Sequence, residues 1–454
     1  MSTAALTYSS TIVGALACQR NSFLKTLKTK VVSANEYTPI QTSRDKQNKN
    51  KKVKEQSEET SKGLLYALEL EDTILFPEGG GQPCDYGTIT LPNDDVIDVK
   101  SVLRDKLKAI HVTDSPIREG TEITLNVDWE RRIDVMQQHT GQHLLSAVLD
   151  TYNLETLSWS MGDVINYIEL PQKISDEIVE EVNRKVNDII FEGLPISLTT
   201  PDQHGGEVDI THIPDDYDLS KGIVRIVKIG DLDANPCCGT HLSSTSEVQA
   251  ISLLNQTNVR GGNSRLHFIC GSRVYKYLRK QYDILKTVSG NQLSCQVDEV
   301  ADKVAALNLN YRKSTSRESN LLKELAAIEA NKIFQDFLAK GQTIGFAYRE
   351  DSNAEFILLL QKELTTLVNT SKDCGIDLNS SQTVVLLNGD YASGTGGMVK
   401  IIGPKAQEIQ AELKQRISNL KGGGKGASFQ GKISKYEKGE LDSTLKYLES
   451  LRNS

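Results

Sequence analysis

Aromatic residues make up only 6% of these 454 residues, with two tryptophans and four methionines, so aliphatic side chains must fill the cores. Cysteine occurs seven times without regular spacing. That pattern argues against a disulfide framework and for a reducing compartment. There is no run of about 18 apolar residues, so no membrane-spanning helix is expected. The mildly apolar residues 1–17 lack a preceding basic stretch, which disfavours a secretory signal. The basic, hydroxyl-rich Gln19–Lys30 leaves a mitochondrial signal as the alternative to a cytoplasmic location. A net charge of -8 disfavours a surface coated throughout in nucleic acid. A local basic patch remains compatible with it, because binding follows local fields.

What is present suits two or three domains: 38% of the residues are hydrophobic, enough for sizeable cores. Short alternating runs dominate residues 1–125, which read as a β-rich N-terminal domain. Within it, 38–61 is basic and polar with few apolar anchors, and reads as a flexible insertion or a basic arm touching RNA. Leu64, Tyr66, Leu68 and Leu70 alternate in a strand expected over Gly63–Leu75. Residues 126–290 mix helix and strand. Asp128 is placed to cap one helix, and Ser175 caps a second running to about Phe191. Gly141 weakens the first by about 1 kcal/mol. Arg225–Ile229, Val248–Leu253 and Ser264–Cys270 read as strands. Residues 291–340 form a helical spacer, with apolar stripes through Val300, Val304, Leu307, Leu321, Leu325, Ile328, Phe334 and Phe337. Residues 341–454 read as a small α/β domain with strands at Phe356–Leu360 and Val384–Asn388, a helix over Ala406–Leu420, and a glycine-rich break after it. The fold class expected is α+β.

Two four-residue spacings carry the chemistry. His139 and His143 share one face of a helix, one turn apart. Cys237 and His241 flank a turn containing Gly239. Three imidazoles and a thiolate suit zinc, a borderline-soft ion with four tetrahedral ligands. Either pair alone is common, and His139 beside Met136 also fits a core histidine. Thr140 stands where a His-Glu-x-x-His protease carries its base, which disfavours a zinc protease. Upstream, Gly79, Gly80 and Gly81 fit either a tight structural turn or a close backbone approach to a ligand.

The stretches Gln137-Gln138-His139-Thr140-Gly141-Gln142-His143-Leu144-Leu145-Ser146, Asn235-Pro236-Cys237-Cys238-Gly239-Thr240-His241 and Thr73-Ile74-Leu75-Phe76-Pro77-Glu78-Gly79-Gly80-Gly81-Gln82-Pro83 resemble three motifs of the freestanding alanyl-tRNA editing proteins. That family is related to the editing domain of alanyl-tRNA synthetase. Cys18-Gln19-Arg20-Asn21-Ser22-Phe23 and Val31-Val32-Ser33 resemble the opening of its longer members. The resemblance covers about residues 15–280. Lys421–Gln430 resembles, more loosely, the C-terminal domain of the synthetase, which contacts tRNA or mediates dimers. Cys238 stands where the family has glycine; the four-residue gap to His241 favours Cys237 as the ligand.

The resemblance implies a synthetase-type editing domain at 126–290 and a tRNA-binding or dimerisation domain at 341–454. It implies one zinc per chain on His139, His143, Cys237 and His241. The substrate would be an alanine tRNA carrying a wrong amino acid, chiefly Ser-tRNA(Ala), with Gly-tRNA(Ala) as a second. Thr73 would meet the serine hydroxyl, with Gln82, Gly80 and Gly81 beside it, and a homodimer is compatible. Two other functions fit the same residues: a zinc-containing tRNA-binding protein without catalysis, and a deacylase of another mischarged tRNA.

Overall fold

The computed structural model describes residues 9–38, 64–200, 223–350, 354–371, 374–390, 392, 394 and 396–453. The basic insertion lies, from residue 39 onward, outside them. The chain divides into two compact units, Met1–Leu285 and Lys286–Ser454. Among the described residues no helix is long and apolar enough to cross a membrane.

The first unit opens with a four-residue helix α1 (Ala17–Arg20). Seven strands follow: β1 (Thr26–Tyr37), β2 (Leu65–Leu70), β3 (Gly87–Thr90), β4 (Val96–Val99), β5 (Ser101–Asp105), β6 (Lys108–Thr113) and β7 (Glu122–Val127). They form one antiparallel sheet in the order β4-β3-β7-β1-β2-β6-β5. The long β1 joins its halves, pairing with β7 through Thr26–Lys30 and with β2 from Val31 onward. The strand expected to reach Leu75 stops at Leu70. Asp72 explains the stop: its carboxylate accepts from the N–H groups of Ala17 (2.9 Å) and Thr73 (2.8 Å), turning the chain out of the sheet. Ile74, Leu75 and Phe76 then enter the core beneath it.

The rest of this unit is built on α2 (Trp129–Asp150) and α3 (Asp176–Glu192). Asp128 and Ser175 cap them by accepting from Arg131 N–H and Ile178 N–H. Helix α2 runs unbroken through Gly141, where a Cβ would overlap the Cys270 side chain. Glycine's helix penalty is accepted there so that a strand can pass close by. Strands β8 (Ser158–Ser160), β9 (Asn166–Leu170), β13 (Ile251–Asn258) and β14 (Ser264–Cys270) pair in the order β13-β14-β9-β8. The strand expected from Val248 begins only at Ile251, because a 3₁₀ turn over Thr245–Val248, capped by Ser244, precedes it. A small sheet of β10 (Ile196–Thr199), β11 (Ile226–Ile229) and β12 (Asp233–Pro236) completes the unit. Met136, Leu145 and Val148 of α2 pack with Val182 and Val186 of α3 and with Ile168, Leu266 and Phe268 of the sheet. Helix α4 (Ser272–Thr287) closes it.

In the second unit, helix α5 (Val300–Lys340) leads into a five-stranded sheet. Its strands are β15 (Ile344–Arg349), β16 (Thr383–Asn388), β17 (Gly397–Ile402), β18 (Leu420–Gly423) and β19 (Ser428–Ile433). Only the β15–β16 pair is parallel. Three expectations need correction. The helix expected to reach Leu420 ends at Arg416, and Leu420–Gly423 pairs as a strand at the start of the glycine-rich stretch. Phe356–Leu360 is not a strand but part of α6 (Ala354–Thr370), whose buried Phe356, Ile357, Leu360, Leu364 and Val368 recur at helical spacing. A short apolar run alone does not distinguish the two. The α5 stripe is right only at its end: Phe334 and Phe337 are buried as expected, but before them Leu322, Ala326, Ala330 and Ile333 are the buried residues, whereas Leu321, Leu325 and Ile328 are exposed. Helices α7 (Ala406–Arg416) and α8 (Glu440–Arg452) join a separate core with Val385, Val399 and Phe429. The whole chain is mixed α and β, as composition and patterning imply.

Candidate metal centre and cavity

Helix α2 presents His139 and His143 on the face turned toward the loop that follows β12. That loop carries Cys237 and His241. The four ligand atoms lie within 4.8 Å of one another. Cys237 Sγ is 3.5 Å from His139 Nε2 and 3.3 Å from His241 Nε2. Ligands at tetrahedral zinc, with bonds of about 2.0–2.3 Å, stand roughly 3.3–3.6 Å apart, so the two separations from Cys237 Sγ match that ion, and three imidazoles with one thiolate are a donor set that suits it.

Two residues fix the rings. Gln82 Oε1 sits 2.7 Å from His139 Nδ1, so that nitrogen carries the proton and Nε2 faces the cluster. The same oxygen accepts from Thr240 N–H (3.0 Å), and Gln82 Nε2 donates to Thr240 Oγ1 (2.9 Å). Thr140 Oγ1 lies 3.4 Å from His241 Nδ1. Gly239 is required at the turn, since a Cβ would overlap His139 and press on Gln82. Burial holds all three histidines neutral, His143 down to about 4, and His139 and His241 well below the usual range. Burial likewise pushes the Cys237 thiol up to about 12. Neutral imidazoles are the ligating form, and a bound cation is what would make the buried thiolate affordable. Cys238 has no positive φ, so the Cβ that replaces the family glycine is accommodated.

The centre forms one wall of a cavity of about 340 Å³. Gly79, Gly80, Arg104, Gln142, Ser146, Trp159, Arg225 and Cys238 also line it. Gly80 has φ +61°, which favours glycine, and Gly81 lies so close to Trp159 that a Cβ would come within 2.9 Å of the indole. Trp159 in turn stacks on His139 at 5.0 Å between centroids. Thr73 is placed differently. It is 1% exposed, is not among the lining residues, and its hydroxyl already accepts from Leu75 N–H (3.0 Å) and meets His111 Nε2 at 2.8 Å. Gln82, also buried, reaches His139 and Thr240 and is not a lining residue either. Trp159, Arg225, Gln142, Ser146 and Thr156 escaped the sequence reading. For Arg225 a signal existed: it shares strand parity with Val227 and Ile229, both buried.

Comparison with known proteins agrees with this architecture. Residues 224–267 match the family model described as the threonyl and alanyl tRNA synthetase second additional domain. The putative alanyl-tRNA editing protein alaX of Saccharomyces cerevisiae is 37% identical, covering 96% of each chain. Alanyl-tRNA editing protein Aarsd1 of Mus musculus is 33% identical over 93% of this chain and 94% of its own. Alanyl-tRNA editing protein AlaX-L of Pyrococcus horikoshii is 36% identical over 49% of this chain and 55% of its own. Identity of this extent over nearly the full length of both chains places this protein in one class with those relatives. The chain belongs to the alanyl-tRNA editing protein family.

Proposed function

We propose that this chain is a trans-editing aminoacyl-tRNA hydrolase that removes a wrong amino acid from alanine tRNA. Ser-tRNA(Ala) is its main substrate and Gly-tRNA(Ala) a second. The observation that carries the reading is the His139, His143, Cys237 and His241 group opening onto a cavity in a chain whose full-length relatives are named alanyl-tRNA editing proteins. Zinc, held by those four residues with its tetrahedral shell filled, would pin helix α2 to the cysteine loop and supply positive charge at the cavity wall. Gly79 and Gly80 also line the cavity, where backbone N–H groups can meet the aminoacyl ester. Gln82 and Gly81 support the site by orienting His139 and seating Trp159. Thr73 contributes through the buried His111 contact that shapes the glycine-rich turn. Choosing serine over alanine is physically accessible, because a site that bonds a hydroxyl strongly rejects a ligand lacking one. The second unit is assigned to tRNA contact; Lys421, Lys425, Lys432, Lys435 and Lys438 are all exposed on or beside β18 and β19.

Initial rates on Ser-tRNA(Ala), Gly-tRNA(Ala) and Ala-tRNA(Ala), with and without a chelator, test the proposal. The expected result is hydrolysis of the first two, sparing of the third, and loss of activity with the metal. Tight tRNA binding without hydrolysis would point instead to a non-catalytic zinc protein. Preference for a different charged tRNA would replace the substrate.

A further inference from the structure

One wall of the cavity, whose lining also includes Asp150 and Glu155, holds a positive charge that is in no salt bridge. Arg225 is 3% exposed, and among the described residues no acidic group forms an ion pair with it. Its guanidinium is held by three main-chain carbonyls. Nη1 donates to Cys237 O (3.3 Å) and Gly239 O (3.0 Å), and Nη2 donates to Gln19 O (2.8 Å). A guanidinium has five N–H donors. Those three bonds leave the Nε proton and one Nη2 proton without a protein acceptor. A buried cation with unused donors costs stability, so a site that keeps one is arranged for something that arrives later. Arg225 lines the cavity together with Cys237 and His139.

We propose that Arg225 is the oxyanion-binding residue of this site: its two unused donors take the acyl oxygen of the substrate and then the carboxylate of the released amino acid. The inference rests on the deacylase reading above. In the hydrolysis, water adds to the carbonyl carbon and the π electron pair moves onto the carbonyl oxygen. The pair then returns to re-form the carbonyl as the bond to the ribose oxygen breaks; that oxygen leaves with one proton from the water, and the other is released to solvent as the acid ionises. The charge that gathers on the acyl oxygen is what Arg225 stabilises, because its donors are already fixed by the three carbonyls and need no reorganisation. The product ends as a carboxylate, the anion that a planar fork of N–H groups fits.

The full-length, zinc-loaded chain, R225Q and R225K are compared by four measurements: calorimetric titration with L-serine and with serinol, which lacks the carboxylate; zinc content; thermal melting; and single-turnover hydrolysis of Ser-tRNA(Ala). The wild type is expected to bind L-serine about ten-fold or more tighter than serinol. R225Q should lose that preference and slow single turnover by about 100- to 1,000-fold, with one zinc per chain retained. R225K, which keeps the charge without the fork, should fall between them and serves as the deciding variant if R225Q does not fold. Equal binding of L-serine and serinol by the wild type overturns the proposal. So does an R225K or R225Q chain whose activity falls only in proportion to its zinc or its folded fraction, since Arg225 would then be a clamp for the cysteine loop. A chain that hydrolyses no aminoacyl-tRNA yet loses carboxylate preference in R225Q would sink the editing reading and leave the anion site standing.

Discussion

Among the described residues of the first unit two arginines lie buried, Arg132 at 0% and Arg225 at 3% exposure, and their surroundings differ in kind. Arg132 projects from α2 against Asp85, whose carboxylate accepts from Nε at 3.0 Å, while Nη1 donates to Ser22 O at 2.8 Å. Asp85 also accepts from Phe76 N–H at 2.6 Å, so this pair ties the glycine-rich turn to the histidine helix. Arg225 is fixed by carbonyls alone and faces the cavity. A cation whose charge is cancelled inside the protein serves as a joint. A cation left uncancelled beside a cavity has bonding capacity that only a ligand can take up. The contrast also separates what each residue should do when changed: the first should govern stability, the second binding.

The sharpest way to break that contrast is D85N. It leaves the Arg132 guanidinium buried without its counter-charge, and a loss of about 3–5 kcal/mol is expected in denaturant unfolding. A melt close to wild type would mean that the pair is no joint. Next in size is a pH effect from a third buried base, His111, which is kept neutral instead of charged. Burial lowers its pKa from 6.5 to about 4. Above pH 6.5 the ring is neutral in both folded and unfolded chains and contributes nothing. Between pH 6.5 and 4 only the unfolded chain takes up the proton, so stability falls with pH by up to about 3 kcal/mol. H111Q lacks that proton and should show a visibly flatter curve of melting temperature against pH over this interval. An identical slope would remove His111 from the list of stability determinants. Smaller again is G141A, where the new Cβ presses on Cys270; about 1–3 kcal/mol should be lost, with the metal retained. The subtlest test is T73V. Losing a buried hydroxyl partner should cost about 1–3 kcal/mol of stability. The ratio of kcat/KM for Ser-tRNA(Ala) and Gly-tRNA(Ala) should stay where it is. A selective fall for the seryl substrate would put Thr73 in direct contact with serine after all.

Much of the local architecture was legible in the residues themselves. Asp128 and Ser175 cap the helices they were expected to cap, because capping depends on neighbours in the chain. The spacing of His139, His143, Cys237 and His241 was visible, and the structure brings their ligand atoms together. What stayed hidden depends on distant partners. Gln82 is expected at the site from the family resemblance, but its partner there, His139, lies 57 residues away and is not announced by the local sequence. The Asp85–Arg132 pair spans 47 residues, and no periodicity announces it. Phe356–Leu360 was misread for a different reason: five apolar residues in a row carry no period of their own, and the deciding Leu364 and Val368 lie beyond them. Gly141 looked like a flaw in a helix. It is a site of close approach, which only the position of Cys270 reveals.

The bond from Gln82 to His139 has a thermodynamic corollary. Gln82 comes from the turn after β2, and His139 belongs to the metal cluster, so folding of the turn and loading of the cluster are linked equilibria. Whatever an ordered turn adds to the affinity for the ion, the ion must return to the turn as added order. Protease cleavage between Pro77 and Pro83 should therefore report on metal occupancy from outside the cluster. It would be slow in the loaded protein and faster once a chelator has stripped it, with no tRNA in the tube.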